Sequence, residues 1–425
     1  MCSVNEDDLD GVSQCMVKES SELKLGSICK KCNEKKADVV LRAKDAYCKD
    51  CFLTASTHKF RAALGKSKLV RPRDKVLIAF SGSQSSVALL HLVQTGLNGD
   101  NHKRLLFSCS VVYIDEGAVF GLSSTERKAI CDEIVQHVKQ TDIPVYITSL
   151  EKSLFDLEET NYFRYDTDQD YVNEQKEQKL KDCFSSRHSL TTRENLLELL
   201  RNRLLLKVAK HLKCTKIFTA DTMSHLAVKL LTNVSLGRGS QLPLDVGFCD
   251  NRDADIMLLR PMRDFLKKEI VYYNVFNDLQ SINIPSLGTK VKPNESIQKL
   301  TEKFVTDLQE DFPSTVSTIF RTGEKMSMNN VAHEADETCA LCQAPLDTDT
   351  IESSALQSTE FSRKVSALGP SGFDSTSIGT MNTPDEKPQC EESASCHCKE
   401  NELAISRSDA ESCLCYSCRL ILREM

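Results

Sequence analysis

Lys75-Val-Leu-Ile-Ala-Phe80, followed at once by Ser81-Gly82-Ser83-Gln84-Ser85-Ser86 and then by the apolar stretch Val87 to Gln94, is the segment on which the fold turns. A short run of apolar residues ending in a small-residue loop reads as a strand buried on both faces, as in a parallel sheet. The alternation continues outward. Leu105 to Ile114 predicts a second strand, Thr125 to Lys139 a helix with Ile130, Ile134 and Val138 on one face, and Pro144 to Thr148 a third strand. Glu194 to Leu212 reads as a leucine-rich helix and Lys216 to Ala220 as a fourth strand, with a helix from Ser224. Strand, loop and helix in repetition specify an α/β fold built on a doubly wound parallel sheet. Ligands of such sheets sit beyond the carboxyl ends of the strands, where the loops 81–86 and 220–225 fall.

Around this centre the chain divides by composition. Residues 1–25 read as disordered, 26–57 as a cysteine module, 58–75 as a basic connector, 76–290 as the α/β domain, 291–330 as a helical extension, and 331–425 as a polar region with cysteine pairs at both ends and a disordered insertion at about 347–395. Residues 156–182 interrupt the α/β pattern. Their alternating Asp166, Asp168 and Asp170 lack the glycine turn and terminal glutamate of a calcium loop, so they read as a solvated insertion. The first twenty residues are acidic and polar, unlike a signal peptide. No stretch of the 425 residues approaches a membrane span in length, so no membrane partner is expected. A net charge of −7 excludes a protein that coats nucleic acid generally and confines any nucleic-acid surface to a local basic patch.

Nineteen cysteines are many for a chain with no secretion signal. In a reducing cytoplasm they are expected as buried thiols, metal ligands or catalytic groups. Cys29-Lys-Lys-Cys32 and Cys48-Lys-Asp-Cys51 are two C-x-x-C turns separated by fifteen residues. Each turn presents two thiolates, and two turns close a tetrahedral shell around one structural zinc ion with no open position. Lys30, Lys31 and Lys49 offset part of the charge of such a centre. Four buried thiols or a redox pair is the plainer alternative. Cys339-Ala-Leu-Cys342 and Cys415-Tyr-Ser-Cys418 form a second set across a gap of 72 residues. Closure entropy rises slowly with loop length, so a second zinc site across that gap is feasible. Cys390, Cys396, His397, Cys398 and Cys413 compete as ligands.

The Ser81–Ser86 loop between a strand and a helix makes an anion cradle in which backbone N–H groups and a helix N-terminus face a phosphate. It lacks the Gly-Lys-Ser/Thr of a Walker sequence. The plainer reading is a polar turn with Ser85 or Ser86 as the helix N-cap. The loop resembles the PP-loop, Ser-Gly-Gly-x-Asp-Ser, of the adenine nucleotide alpha-hydrolase-like ATP-pyrophosphatases. Ser81, Gly82 and Ser86 are kept, while Ser83 replaces a glycine and Ser85 an aspartate. Thr219 to Ala227 falls where thiolating members carry a stretch like Gly-His-Asn-x-Asp-Asp-x-Ala, with Ser224 and His225 in place of the two aspartates. Lys229-Leu-Leu, Gly237-Arg-Gly239 and Leu259 to Ile270 keep the family's character. Cys183-Phe-Ser-Ser186 resembles a C-x-x-C remnant, with Cys249 as a candidate for the later cysteine of the thiolating enzymes.

The cysteine pairs, the altered PP-loop and the terminal Leu414-Cys-Tyr-Ser-Cys-Arg419 together resemble the cytoplasmic tRNA 2-thiolation protein 2 family over residues 26 to about 325 and 335–420. That resemblance implies a cytoplasmic heterodimer with an active PP-loop subunit. It also implies sulfur from a thiocarboxylated ubiquitin-related modifier, and formation of 5-methoxycarbonylmethyl-2-thiouridine at U34 of the tRNAs for lysine, glutamate and glutamine. With the loop and the acidic pair altered, no catalytic residue is expected in this chain and ATP binding is in doubt. Lys59, Arg61, Lys66, Lys68, Arg71 and Arg73, with Lys75, read as an RNA-backbone contact beside the cysteine module. Arg187, Arg193, Arg201, Arg203, Lys207 and Lys210 form a second basic cluster that is either an RNA contact or paired with Glu194 and Glu198. Two other readings stay open here: an active ATP-dependent sulfurtransferase, and a zinc-ribbon interaction protein unrelated to tRNA.

Overall fold

The computed structural model describes residues 25–41, 45–99, 104–154, 174–185, 188–289, 291–326, 338–346, 363 and 407–424. The expectations for residues 1–24, for the insertion at about 347–395 and for Asp166 to Asp170 lie outside the described residues, as do Arg187, Cys390, Cys396, His397 and Cys398.

The chain begins with a two-stranded antiparallel ribbon, β1 (Val39–Leu41) and β2 (Asp45–Tyr47), which leads into α1 (Lys49–Ser67). The sheet follows: β3 (Lys75–Ala79), β4 (Ser108–Asp115), β5 (Val145–Ser149), β6 (Lys216–Phe218), β7 (Cys249–Asp250) and β8 (Met257–Leu259), in the order β5-β4-β3-β6-β8-β7. Every pairing is parallel except the short edge pair β7 and β8. The continuous apolar run of β3 has a direct cause. Val76 and Ile78 enter one core and Leu77 the other, and all three are fully buried. A strand covered on both faces has no solvent side on which polar residues would alternate.

The first face is covered by α1, α2 (Gln84–Leu97), α3 (Ser124–Lys139) and α8 (Lys267–Phe276), and the second by α4 (Glu174–Cys183) and α5 (Leu190–His211). Beyond them α6 (Met223–Ser235), the short α7 (Leu242–Val246), α9 (Ile297–Asp311) and α10 (Thr315–Glu324) share a third apolar cluster. After the short α11 (Arg407–Ser412), the last helix, α12 (Tyr416–Glu424), belongs to a fourth cluster that includes Leu199 of α5. Among the described residues no helix is long and apolar enough to cross a membrane.

Three expectations require correction. The N-cap of α2 is Ser83, not Ser85 or Ser86, because the helix starts at Gln84. The helix expected from Glu194 starts at Leu190 under the N-cap Ser189, whose oxygen accepts from the Thr192 N–H. A single helix, α1, spans the boundary expected at 57/58, so the cysteine module runs without a break into the basic segment. Phe52 and Phe60 explain this continuity. Both are buried in the main core, and each contributes roughly 2–3 kcal/mol by leaving water.

Candidate functional site

The strand order reverses between β3 and β6, and a crevice opens at such a switch point. Here the Ser81–Ser86 loop meets residues 219–225. Ser81 Oγ lies 3.0 Å from Ser83 Oγ, and both lie 3.4 Å from Ser86 Oγ, so the hydroxyls bond to one another. The Ser83 oxygen also accepts from the Ser86 N–H at 3.4 Å, capping the first turn of α2. Thus the residue that replaces a PP-loop glycine serves the helix. Gly82 has φ +73°, and a Cβ there would stand 3.0 Å from Ile284 and 3.2 Å from Ile282. Its carbonyl accepts from the Ile282 N–H at 2.9 Å, so the segment after α8 covers the loop's glycine. Ser81 and Ser83 remain exposed and Ser85 half-buried.

Although Ser224 and His225 stand in place of the expected acidic pair, other carboxylates are present at the strand ends. Each is already engaged. Asp115 accepts from Arg127 Nε at 2.7 Å and from the Gly117 N–H at 2.9 Å. Glu116 holds Arg201 in a two-point pair at 2.5 and 2.9 Å. Asp221 lies 2.8 Å from His225 Nδ1, accepts from Thr219 Oγ1 at 2.7 Å, and sits 3.4 Å from Arg260 Nε. Burial opposes ionisation of Asp221, yet His225 and Arg260 hold its carboxyl well below the usual range. Beside it Glu198 pairs with Lys229 at 2.5 Å; burial raises its carboxyl, and Lys229 brings it down to about 2. Ser224 Oγ accepts from the Lys267 N–H at 3.2 Å and so ties α6 to α8. Sequence reasoning missed Asp221, Glu116, Glu198 and Arg260 as crevice residues. The available signal was Arg260 in the Leu259–Ile270 stretch, because a buried arginine needs a carboxylate partner.

Cys183 and Cys249 are not brought together. Cys183 packs against the second core and Cys249 against the first. Burial raises both thiols, away from the reactive thiolate.

The cysteine pairs do converge. Cys29, Cys32, Cys48 and Cys51 form one quartet and Cys339, Cys342, Cys415 and Cys418 another, with the sulfurs of each set within 4.8 Å of one another. Among the described residues these are the two groups able to hold a metal, and Cys413, which is exposed, belongs to neither. A tetrahedral ion with sulfur bonds of about 2.3 Å spaces its ligands about 3.8 Å apart. Cys32 and Cys48 stand 4.0 Å apart, and Cys342 and Cys415 stand 3.7 Å apart. The N–H groups of Cys32, Cys48 and Lys31 outweigh burial and bring the Cys29 thiol down to about 6. Such a thiol is ready to bind metal as thiolate. The second quartet is clasped to the α/β domain. Gln241 Nε2 lies 3.5 Å from the Cys415 sulfur, Arg238 donates to Ser417 Oγ at 2.8 Å, and the Tyr416 ring covers Gly237, where a Cβ would come within 2.8 Å.

The basic residues separate into groups. Lys59 pairs with Glu269 at 2.6 Å and lies 4.8 Å above the Phe265 ring, so it is withdrawn from the expected RNA contact. Arg61 is half-buried. Lys66, Lys68, Arg71 and Arg73 are exposed. In the second cluster Arg201 is taken by Glu116, Lys210 by Asp253 at 2.6 Å, and Lys207 donates to the Ser153 carbonyl at 3.4 Å. These partners are not the Glu194 and Glu198 of the sequence reading.

Comparison with known proteins follows the same lines. A family model described as cytoplasmic tRNA 2-thiolation protein 2 matches residues 296–420. Cytoplasmic tRNA 2-thiolation protein 2-A of Xenopus laevis is 37% identical over 98% of this chain and 92% of its own length. The Danio rerio protein of that family is 36% identical over 100% and 93%, and that of Homo sapiens 33% over 93% and 87%. Among solved structures, the U34-tRNA thiolase NcsA from Methanococcus maripaludis with its [4Fe-4S] cluster superposes with a TM-score of 0.53. That match covers 76% of this chain and 93% of NcsA at 14% identity, and it supports a shared PP-loop-type fold. A clasped cysteine quartet inside the region of the family match, and identity sustained over nearly the whole chain, place it: this chain belongs to the cytoplasmic tRNA 2-thiolation protein 2 family.

Proposed function

We propose that this chain is the non-catalytic subunit of a cytoplasmic heterodimer that thiolates the wobble uridine U34 of tRNA. Its partner is an active PP-loop subunit. Sulfur comes from a thiocarboxylated ubiquitin-related modifier, and the substrates are the tRNAs for lysine, glutamate and glutamine. One observation carries the non-catalytic part: Asp115, Glu116 and Asp221 at the strand ends are each engaged by an arginine. Activation of a carbonyl by ATP needs carboxylates free to hold magnesium against the phosphates. An acid already neutralised by a guanidinium must break that pair first, which costs the energy of the pair before any metal can bind. Ser83, occupied in capping α2, removes the bare backbone that would approach phosphate.

Both cysteine quartets are assigned structural zinc. The ligands are all thiolates, no position stays open, and the sulfur spacing suits one tetrahedral ion. A four-iron cluster is larger and would hold the same thiolates farther apart. When bound, zinc supplies folding energy and no chemistry.

Two measurements test the reading together. The isolated chain should not convert ATP to AMP. Mixed with its catalytic partner, ATP, a sulfur donor and lysine tRNA, it should yield thiolated U34 seen by mass analysis of nucleosides. Steady AMP formation by the isolated chain would overturn the non-catalytic assignment. Unchanged U34 thiolation in cells that lack this chain would overturn the assignment to the complex.

A further inference from the structure

The exposed cations of the basic segment lie at the end of the sheet opposite the crevice. Arg71 to Asp74 form a turn closed by the Asp74 N–H to Arg71 carbonyl bond at 3.2 Å, and β3 begins directly after it at Lys75. The Arg73 N–H donates to the Leu106 carbonyl at 2.8 Å, which places Arg104 and the lead-in to β4 beside this turn. The Thr215 N–H donates to the Lys75 carbonyl at 3.0 Å, which brings Lys213 and the lead-in to β6 to the other side. Three segments distant in sequence therefore converge at the amino edge of the sheet. Arg71, Arg73, Lys75, Arg104 and Lys213 are all exposed there, and Lys68 is exposed where the chain leaves α1. None of the six appears in an ion pair among the described residues. The only acid within the turn, Asp74, accepts the Arg71 backbone N–H at 2.8 Å. The patch ends at the β8 side, where Asp253 pairs with Lys210 and Asp255 is exposed, and at the β5 side, where Asp142 is exposed.

Many cations elsewhere on the domain are matched instead. Lys59, Arg127, Arg201, Lys210, Lys229, Arg252 and Arg260 are all matched by carboxylates. On a chain with a net charge of −7, an unmatched cluster of cations is a local positive field, and long-range attraction selects a polyanion for it. From Lys75 to Ser81 the central strand covers about 20 Å at its ordinary rise. An RNA backbone on the amino edge would thus lie about 20 Å from the crevice of the same chain.

We infer that the amino edge of the sheet, centred on Arg71, Arg73, Arg104 and Lys213, is an RNA-backbone docking surface that positions tRNA for a reactive centre on another subunit. The inference rests on the proposed role in tRNA thiolation and adds the surface and its direction. Phosphate contacts of this kind fix position without reading sequence.

The test uses the full chain, with and without its catalytic partner, and an in vitro transcribed lysine tRNA in fluorescence anisotropy at several salt concentrations. The double variant Arg73→Glu/Arg104→Glu is set against Lys303→Glu/Lys325→Glu on the helical extension, which changes net charge equally. Metal content and circular dichroism verify that both are folded. The edge variant should lose about tenfold or more in affinity, and its log–log salt slope should shrink by about one per contact removed. The control should stay within about twofold of the unaltered chain. Equal losses in both variants, or no loss in the edge variant, overturn the placement. Failure of the unaltered chain to bind tRNA in either setting removes the underlying reading as well, so the two failures are told apart.

Discussion

The two cysteine quartets share a ligand set and differ in how the chain assembles them. Cys29 to Cys51 lie within one short segment, and the ribbon of β1 and β2 spaces the two turns. The module is self-sufficient in its ligands and is built into its anchor: Cys48 caps α1, Cys51 lies in its first turn, and the same helix drives Phe52 and Phe60 into the main core. The second quartet joins turns 72 residues apart. Its later half is held by the α/β domain through Gln241, Arg238 and Gly237, and through Glu424 at the start of α5; its earlier half is held through Gln241 and Arg252 at Cys342. The first quartet sits at the end of a helix, whereas the second fastens a far part of the chain to the surface of the domain. Metal loss should therefore be local in one case and global in the other.

The largest expected effect is that of Cys418→Ser. It should remove one metal ion per chain and destabilise the main unfolding transition by on the order of 4 kcal/mol. Cys29→Ser should also release one ion while lowering that transition much less, with protease sensitivity gained over the ribbon and the first turn of α1. Elemental analysis with differential scanning calorimetry decides; equal shifts of the main transition would break the comparison. Next comes Phe60→Ala, which should cost about 3–4 kcal/mol by chemical denaturation with both metal ions retained, because Phe60 lies more than two turns along α1 from Cys51. If metal leaves with Phe60, the cage depends on its anchor.

A smaller effect is expected for Glu424→Gln. Its carboxylate accepts from the Ser189 N–H at 2.6 Å and from the Ser189 hydroxyl at 2.9 Å, and it also holds Thr192 Oγ1. An anion at a helix start is favoured by the unpaired N–H groups and the helix dipole, so the neutral substitute should cost about 1 kcal/mol. Hydrogen exchange at residues 189–193 should speed up, and a rate unchanged there would show that the last helix is not fastened through this cap. The smallest effect is a change in acid response. Glu198 is ordinarily near 4.5 and lies at about 2 when folded, so its charge stabilises the fold above about 4.5. That contribution is lost as pH falls through about 2. Glu198→Gln should flatten the melting-temperature profile between these values. An unaltered acid limb would assign acid sensitivity to other groups, such as the second quartet.

Much of this molecule was readable from local pattern. The doubly wound sheet follows from apolar runs separated by small-residue loops, and both quartets follow from C-x-x-C spacing. Apart from the local choice of N-cap, what the pattern could not supply originates in pairing across distance. Ser83 rather than Ser85 or Ser86 caps α2 because the helix start is set where β3 ends. The start of α5 at Leu190 is reinforced by Glu424, more than two hundred residues away. Lys59 reads as a free cation in sequence and is paired with Glu269 in space. Asp221 was legible as a residue and not as a neutralised one, since His225 is four positions on while Arg260 comes from another strand end. The pair β7 and β8 is too short to announce itself by alternation.

Leu346 and Arg407 bracket sixty residues whose outer limits are pinned by one thiol cage. For a segment with fixed ends, each doubling of length changes the closure entropy by only about 0.6 kcal/mol. Holding the two ends together in the clasp therefore costs little more for a long span than for a short one. Relatives are free to diverge in size there at small thermodynamic penalty.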